Sequence, residues 1–285
     1  MTGVVSALIL RIFSNPFSNV LQKHLTQTGC RPFCVNFFTY AGLSLFCLLF
    51  LGGINFFKLS PVVWSSAVLG GIFGALGNGF LIKALERGDL SLLGPINSYK
   101  SVAAMFFGII FLKEIPTLAG ILGIILVIYG SYFIFDTQKE GFSFAILKRR
   151  DIQYRILALI FTAIEAVFIK NVILHSSIIV SFVFWCWFGA LFSGILLIAD
   201  EKKLTVCKTN FKELILLMIT TGVMQLSTNY VFNNMNVSYA LALFQLSTIL
   251  SVVFGWKFFD EKHIKKKLLG SFIMLIGAVM LILMK

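Results

Sequence analysis

The chain has 285 residues, 58% hydrophobic and 13% charged, with a formal net charge of +12 and a mean hydropathy of +0.93. A water-soluble domain carries nearer a quarter charged residues, so an ordinary soluble fold is excluded and an integral membrane protein is predicted. The basic excess does not mark a nucleic-acid binder, because Lys and Arg sit in short turns between apolar runs rather than on a polar face with interleaved aromatics.

Apolar segments fall at 3–22, 33–52, 61–82, 90–112, 116–135, 152–173, 177–199, 211–233, 237–257 and 264–284. Each is about the length needed to cross ~30 Å of hydrocarbon. Runs this long must be helices, and the alternating pattern of a barrel is missing, so the fold class is an all-α membrane protein with ten transmembrane helices.

The first segment begins almost at Met1 without a basic leader or a small-residue cleavage site, and reads as a structural helix rather than a signal peptide. Its Arg11, Asn15, Ser18 and Gln22 share one face. Gly70, Gly74 and Gly77 give the third helix a small-residue face for close packing. In the fourth, Pro95 removes a backbone donor and loosens the turn ahead of Asn97, Ser98, Tyr99 and Lys100. Glu165 lies deep in the sixth helix, whereas Trp185 and Trp187 in the seventh read as packing or interface anchors. The eighth helix carries Gln225, Ser227, Thr228, Asn229, Tyr230 and Asn233, and the ninth Gln245, Ser247, Thr248 and Ser251.

Eighteen Lys and Arg residues fall in the odd-numbered connections, among them Lys23, Arg31, Arg155 and Lys265 to Lys267. The even-numbered connections hold little beyond Lys58, Lys113 and Lys170. Basic loops stay in the cytoplasm, so both termini are expected outside. His24, His175 and His263 sit at helix ends near water. Cys30, Cys34, Cys47, Cys186 and Cys207 form no CxxC pair and have no His or carboxylate cluster beside them, so neither a metal nor another cofactor is expected.

The pattern E-x8-G-x6-G occurs at Glu114, Gly123 and Gly130 and again at Glu261, Gly270 and Gly277, 147 residues later. That register maps all five segments of one half onto the other, which predicts repeats over 1–138 and 139–285. Five is odd, so two such repeats insert in opposite orientations, an inverted arrangement found in transporters. Glu114 and Glu261 each read as a cap on the helix that follows them.

The stretch ALERGDLSLLGPINSYKSVAAMFFGIIFLKEIPTLAGILGIILVIYG at 84–130 resembles the EamA-type repeat of the drug/metabolite transporter superfamily. Ala84, Leu85, Pro95, Leu112, Glu114, Gly123 and Gly130 carry the resemblance; the copy at 237–281 keeps Glu261, Gly270 and Gly277 but lacks the proline. The resemblance implies two five-helix repeats around a central cavity lined chiefly by the first, third, fourth, sixth, eighth and ninth helices. Many relatives carry an arginine near the start of the second helix, where this chain has Asn36 to Tyr40, so the role of that arginine is not transferred.

Ionisable groups inside apolar helices are costly and mark functional positions or buried ion pairs. Arg11, Lys100 and Glu165 are such groups here. With Asn15, Asn97, Tyr99, Gln225, Asn229 and Gln245 they form the candidate substrate-binding set. The competing reading is a Lys100–Glu165 ion pair with hydrogen-bonding side chains as interhelical glue. A secondary transporter of the inner membrane is expected, working by alternating access, with H+ as a candidate coupling ion. Its partners are the lipid bilayer and a small organic metabolite, amino-acid-like or otherwise anionic or zwitterionic. A multidrug or toxic-metabolite exporter and a non-transporting receptor or scaffold are the alternatives; an enzyme is not expected, because one carboxylate is buried mid-span.

Overall fold

The structure, a computed structural model, describes residues 2–100, 102, 117–138, 143–200 and 211–283. Among these the ordered elements are helices, with no strand. They are α1 (Thr2–Gln27), α2 (Pro32–Phe46), α3 (Pro61–Arg87), α4 (Leu90–Ile96), α5 (Leu118–Phe135), α6 (Arg150–His175), α7 (Ile178–Ala199), α8 (Phe211–Asn234), α9 (Val237–Phe244), α10 (Ser247–Phe259) and α11 (Ile264–Leu283). Among the described residues, eight segments are long and apolar enough to cross a membrane: α1, α2 with the 3₁₀ turn that extends it to Gly53, α3, α5, α6, α7, α8, and Tyr239–Phe259 across α9 and α10. The fourth sequence segment runs into residues outside the described set, where Glu114 and Cys207 also lie, and the first turn of α11 carries Lys265, Lys266 and Lys267.

Local chemistry sets the helix ends. Prolines open α2 and α3, where a missing N–H costs nothing. Thr117 caps α5 by accepting from Gly120 N at 3.2 Å, and Ser177 caps α7 by accepting from Val180 N at 3.1 Å. Gly29 turns the chain between α1 and α2 at φ +98°, a backbone region that other residues enter at a cost.

The helices pack in antiparallel pairs. Gly123 of α5 lies beside Gly277 of α11 and Gly130 beside Gly270, so close that a Cβ on Gly130 would stand 2.6 Å from the Gly270 carbonyl oxygen. The glycines of the two E-x8-G-x6-G motifs therefore meet each other at one backbone-to-backbone crossing. In α3, Gly70 faces Phe168 and Gly77 faces Thr162 of α6, again antiparallel. Across α1 and α8, Ser18 Oγ donates to Thr220 Oγ1 at 3.0 Å.

The 147-residue register reappears in space. Lys23 Nζ donates to Gly88 O at 2.9 Å, and Lys170 Nζ donates to Met235 O at 3.4 Å, both partners of the second pair lying 147 residues beyond those of the first. Each lysine sits on the carbonyl end of a long helix, where positive charge is favoured. Both lysines lie inside helices, α1 and α6, rather than in the connections to which the sequence assigned them.

Connections of odd number gather at one end. There Arg31 pairs with Asp200, Lys266 with Asp136, Arg149 with Asp151 at 2.7 Å and Lys23 with Glu261 at 2.8 Å. Glu261 caps a helix, but not the one that follows it: its two oxygens accept from Leu90 N at 2.7 Å and Ser91 N at 2.8 Å at the start of α4. The cause is local. Asp260 adopts φ 51° and turns Glu261 back toward α4, and Gly255 has no side chain to block it. Glu114 lies outside the described residues.

Candidate functional site

The helices at positions four and nine are both broken. In α4 the last bonds tighten to Asn97 N→Gly94 O and Ser98 N→Pro95 O, and the helix resumes at Tyr99. In α9 the same tightening gives Gln245 N→Ala242 O and Leu246 N→Leu243 O before α10 begins. Pro95 accounts for the first break, since its ring removes a donor; the second occurs without a proline. The breaks touch, with Asn97 Nδ2 donating to Gln245 Oε1 at 3.3 Å.

A cavity of about 130 Å³ lies beside these breaks and collects polar groups from α1, α3, α6, α8 and α10. Of the residues chosen from sequence, Arg11, Asn15, Asn97, Lys100, Glu165 and Gln225 line it. Three do not. Tyr99 points toward α5, where its hydroxyl donates to Ser131 Oγ at 2.9 Å. Asn229 accepts from Gln225 Nε2 at 3.0 Å and donates to Ile178 O, one layer behind the wall. Gln245 is buried behind Asn97, and its Nε2 has no partner. A helical face repeats every 3.6 residues, so adjacent polar residues in one helix diverge by about 100° and only some reach the cavity.

The charges are held separately. Arg11 Nε donates to Thr228 Oγ1 at 2.8 Å and its guanidinium lies 4.7 Å from the centre of the Phe244 ring, while its Nη1 is buried without a partner. Glu165 Oε1 accepts from Trp185 Nε1 at 2.7 Å and occupies the space left by the absent side chain of Gly74. That glycine therefore makes room for a carboxylate as well as for a neighbouring helix. Among the described residues no Lys or Arg nitrogen comes within 4.0 Å of Glu165, so Lys100 and Glu165 share the cavity without forming an ion pair.

Several lining residues escaped the sequence choice, among them Asn78, Thr162, Tyr40, Trp185 and Arg155. Tyr40 and Trp185 pack with ring centres 4.6 Å apart and form an aromatic wall beside Glu165. A buried Trp needs a partner for its N–H, and the acid 20 residues earlier supplies it. Arg155, counted from sequence as a loop cation, is buried in α6 and lines the cavity. Its Nε donates to Leu93 O at 2.7 Å, the carbonyl that the tightened turn at Asn97 leaves free. Cys30, Cys34, Cys47 and Cys186 are buried, and none of them lines this cavity.

The EamA-like transporter family matches residues 2–136 and 152–283. The chain belongs to that family. A solved crystal structure of another protein shares the fold with a TM-score of 0.68 over 98% of this chain and 97% of its own, at 15% sequence identity, a likeness that speaks for the fold alone. No curated protein matches the sequence. Family membership makes the chain a membrane transporter of the drug/metabolite superfamily.

Proposed function

We propose that the chain crosses the cytoplasmic membrane ten times as two inverted five-helix repeats, 1–138 and 139–285, and moves a small organic metabolite by alternating access. The metabolite is amino-acid-like or otherwise carries a carboxylate. The observation that carries this reading is the cavity itself, in which Arg11 and Lys100 face Glu165 beside two helix breaks at matching places in the repeats. Broken helices in corresponding positions of two halves are the general mark of a transporter's binding site. The antiparallel crossing of the equivalent helices α5 and α11 supports the inverted relation. The concentration of basic residues in the odd-numbered connections supports a cytoplasmic location for that end and external termini.

In this reading Lys100 and Arg11 recognise the substrate's negative group, and Glu165 receives its ammonium or carries a coupling proton when that site is empty. A lipophilic cation would meet like charges and is disfavoured, which sets the efflux alternative behind the metabolite. The test is uptake into proteoliposomes of purified protein with a panel of radiolabelled amino acids and carboxylates. Lys100→Met abolishes uptake while the protein remains folded; unchanged uptake by that variant refutes the role given to the lysine.

A further inference from the structure

Resting on the reading of the cavity as a substrate site, we infer that the substrate is a small solute carrying two negatively charged groups, with Arg155 a specificity-determining residue for the second. Three cations line the cavity, Arg11, Lys100 and Arg155, against the one carboxylate of Glu165, an excess of two positive charges among the described lining residues. The imbalance does not depend on the lysine alone, because guanidinium groups stay protonated at any physiological pH.

The cations are not neutralised by one another's surroundings. Among the described residues, neither Lys100 nor Arg155 has a carboxylate oxygen within 4.0 Å, although both line the cavity that holds Glu165. Arg155 spends one hydrogen bond on Leu93 O, which fixes the guanidinium against the helix break, and Arg11 leaves Nη1 buried and unpaired. Uncompensated charge inside a protein is expensive, and like charges set side by side add to that cost unless an anion lies between them. A simple zwitterion brings no net charge: its carboxylate occupies one cation, its ammonium meets Glu165, and the excess stays. A dicarboxylate removes it, and an acidic amino acid, whose ammonium offsets one of its two carboxylates, removes half.

Size narrows the class further. At roughly 10–15 Å³ of such space per water, the cavity of about 130 Å³ holds on the order of ten waters. That matches a solute of about eight to ten non-hydrogen atoms, the scale of a four-carbon dicarboxylate or an acidic amino acid, and is too small for a nucleotide.

The experiment is a titration of the purified protein in nanodiscs at neutral pH with three probes of similar size: succinate, L-aspartate and L-alanine. Succinate and aspartate are expected to bind at least tenfold more tightly than alanine. Arg155→Gln should weaken succinate binding about tenfold or more, the scale of losing one charge-assisted hydrogen bond, and change alanine binding less than about threefold. Arg155→Lys restores the cation and should recover most of the succinate affinity. The ranking of probes on the unaltered protein stands even if Arg155→Gln misfolds. Alanine binding as well as or better than succinate and aspartate, with alanine taken up into proteoliposomes, overturns the two-anion inference and leaves the metabolite reading intact. Neither binding nor uptake of any of the three overturns both.

Discussion

Lys23→Met removes the cation from the buried pair with Glu261 while keeping most of the side chain's length. The two side chains are 6% and 4% exposed, so the substitution strands a carboxylate where water hardly reaches. Losing one partner of such a pair costs about 3–5 kcal/mol. Glu261 keeps its bonds from Leu90 N and Ser91 N, which puts the expected loss near the lower end, about 3 kcal/mol. At roughly 2–4 °C per kcal/mol, the melting temperature falls by on the order of 10 °C.

The effect depends on pH with a definite sign. Burial pushes the Glu261 carboxyl up, but the Lys23 ammonium and the Ser91 donors outweigh it and hold the group below the usual carboxylate range. A depressed folded-state value means that its stabilisation is complete above the unfolded value of about 4.3 and is lost as pH falls through the folded value. In Lys23→Met the opposing cation is gone, burial raises the folded value, and the penalty is largest at neutral pH and shrinks toward about pH 4. The double variant Lys23→Met with Glu261→Gln leaves no stranded charge but turns an amide NH2 toward one of the two backbone N–H donors, so it should regain part of the loss. Melting of the detergent-solubilised protein with a thiol-reactive dye is a suitable assay, since Cys30, Cys34, Cys47 and Cys186 are all buried until unfolding. A single variant melting within about 2 °C of the parent, or two losses that simply add, refutes the reasoning.

Gly130→Leu should destabilise the protein by about 3 kcal/mol, because its Cβ would stand 2.6 Å from Gly270 O and 2.7 Å from Met274 N, backbone atoms that cannot step aside. Gly52→Ala, with nothing within 4 Å, is the control and should melt like the parent. Gly74→Ala should lower melting by a few degrees, about 1–3 kcal/mol, and raise the KM for uptake about tenfold, since the new methyl takes the place of Glu165 Oε1 and breaks its bond from Trp185; an unaltered KM removes Glu165 from the site. Lys265→Cys should react with an impermeant thiol reagent in inside-out vesicles and not in intact cells, and labelling from outside reverses the proposed orientation while leaving the fold as it is.

Much of the helix content was legible because a segment in lipid must satisfy its own backbone, which ties length and hydropathy directly to secondary structure. The glycine motif was legible for a related reason: a crossing with no room for a Cβ leaves its mark as glycines at Gly130, Gly270 and Gly277. Glu261 shows where that logic stops. Its type and its place at a helix end announced a cap, yet the helix it caps lies 170 residues away in sequence, at Ser91 N, because the turn with left-handed residues at Asp260 and His263 redirects it. Local pattern supplies the chemistry of such a group, and tertiary packing supplies its partner.

Arg155 is the instructive miss. Counting basic residues by connection assumes that a cation near a helix start lies in water, and Arg155 is only five residues into α6. What draws it inward is the free carbonyl of Leu93, which exists only because the chain tightens at Asn97, a turn contributed by the other half of the molecule. The same 147-residue register that exposes the duplication also hides the site, because repetition describes scaffold. Shifted by 147, Glu165 falls on Ser18, Lys100 on Ser247, Arg155 on Leu8 and Arg11 on Ala158, so each charged lining residue has an uncharged counterpart. Two equivalent halves can present geometrically matched pathways to the two sides of a membrane, but a binding site between them needs different groups to meet different ends of a solute. Charges outside the cavity depart from the repeat as well, Lys83 falling on Tyr230 and Arg87 on Asn234, so the register describes the scaffold, and it is the folding of α1, the broken fourth helix and α6 around one cavity that brings Arg11, Lys100, Arg155 and Glu165 together.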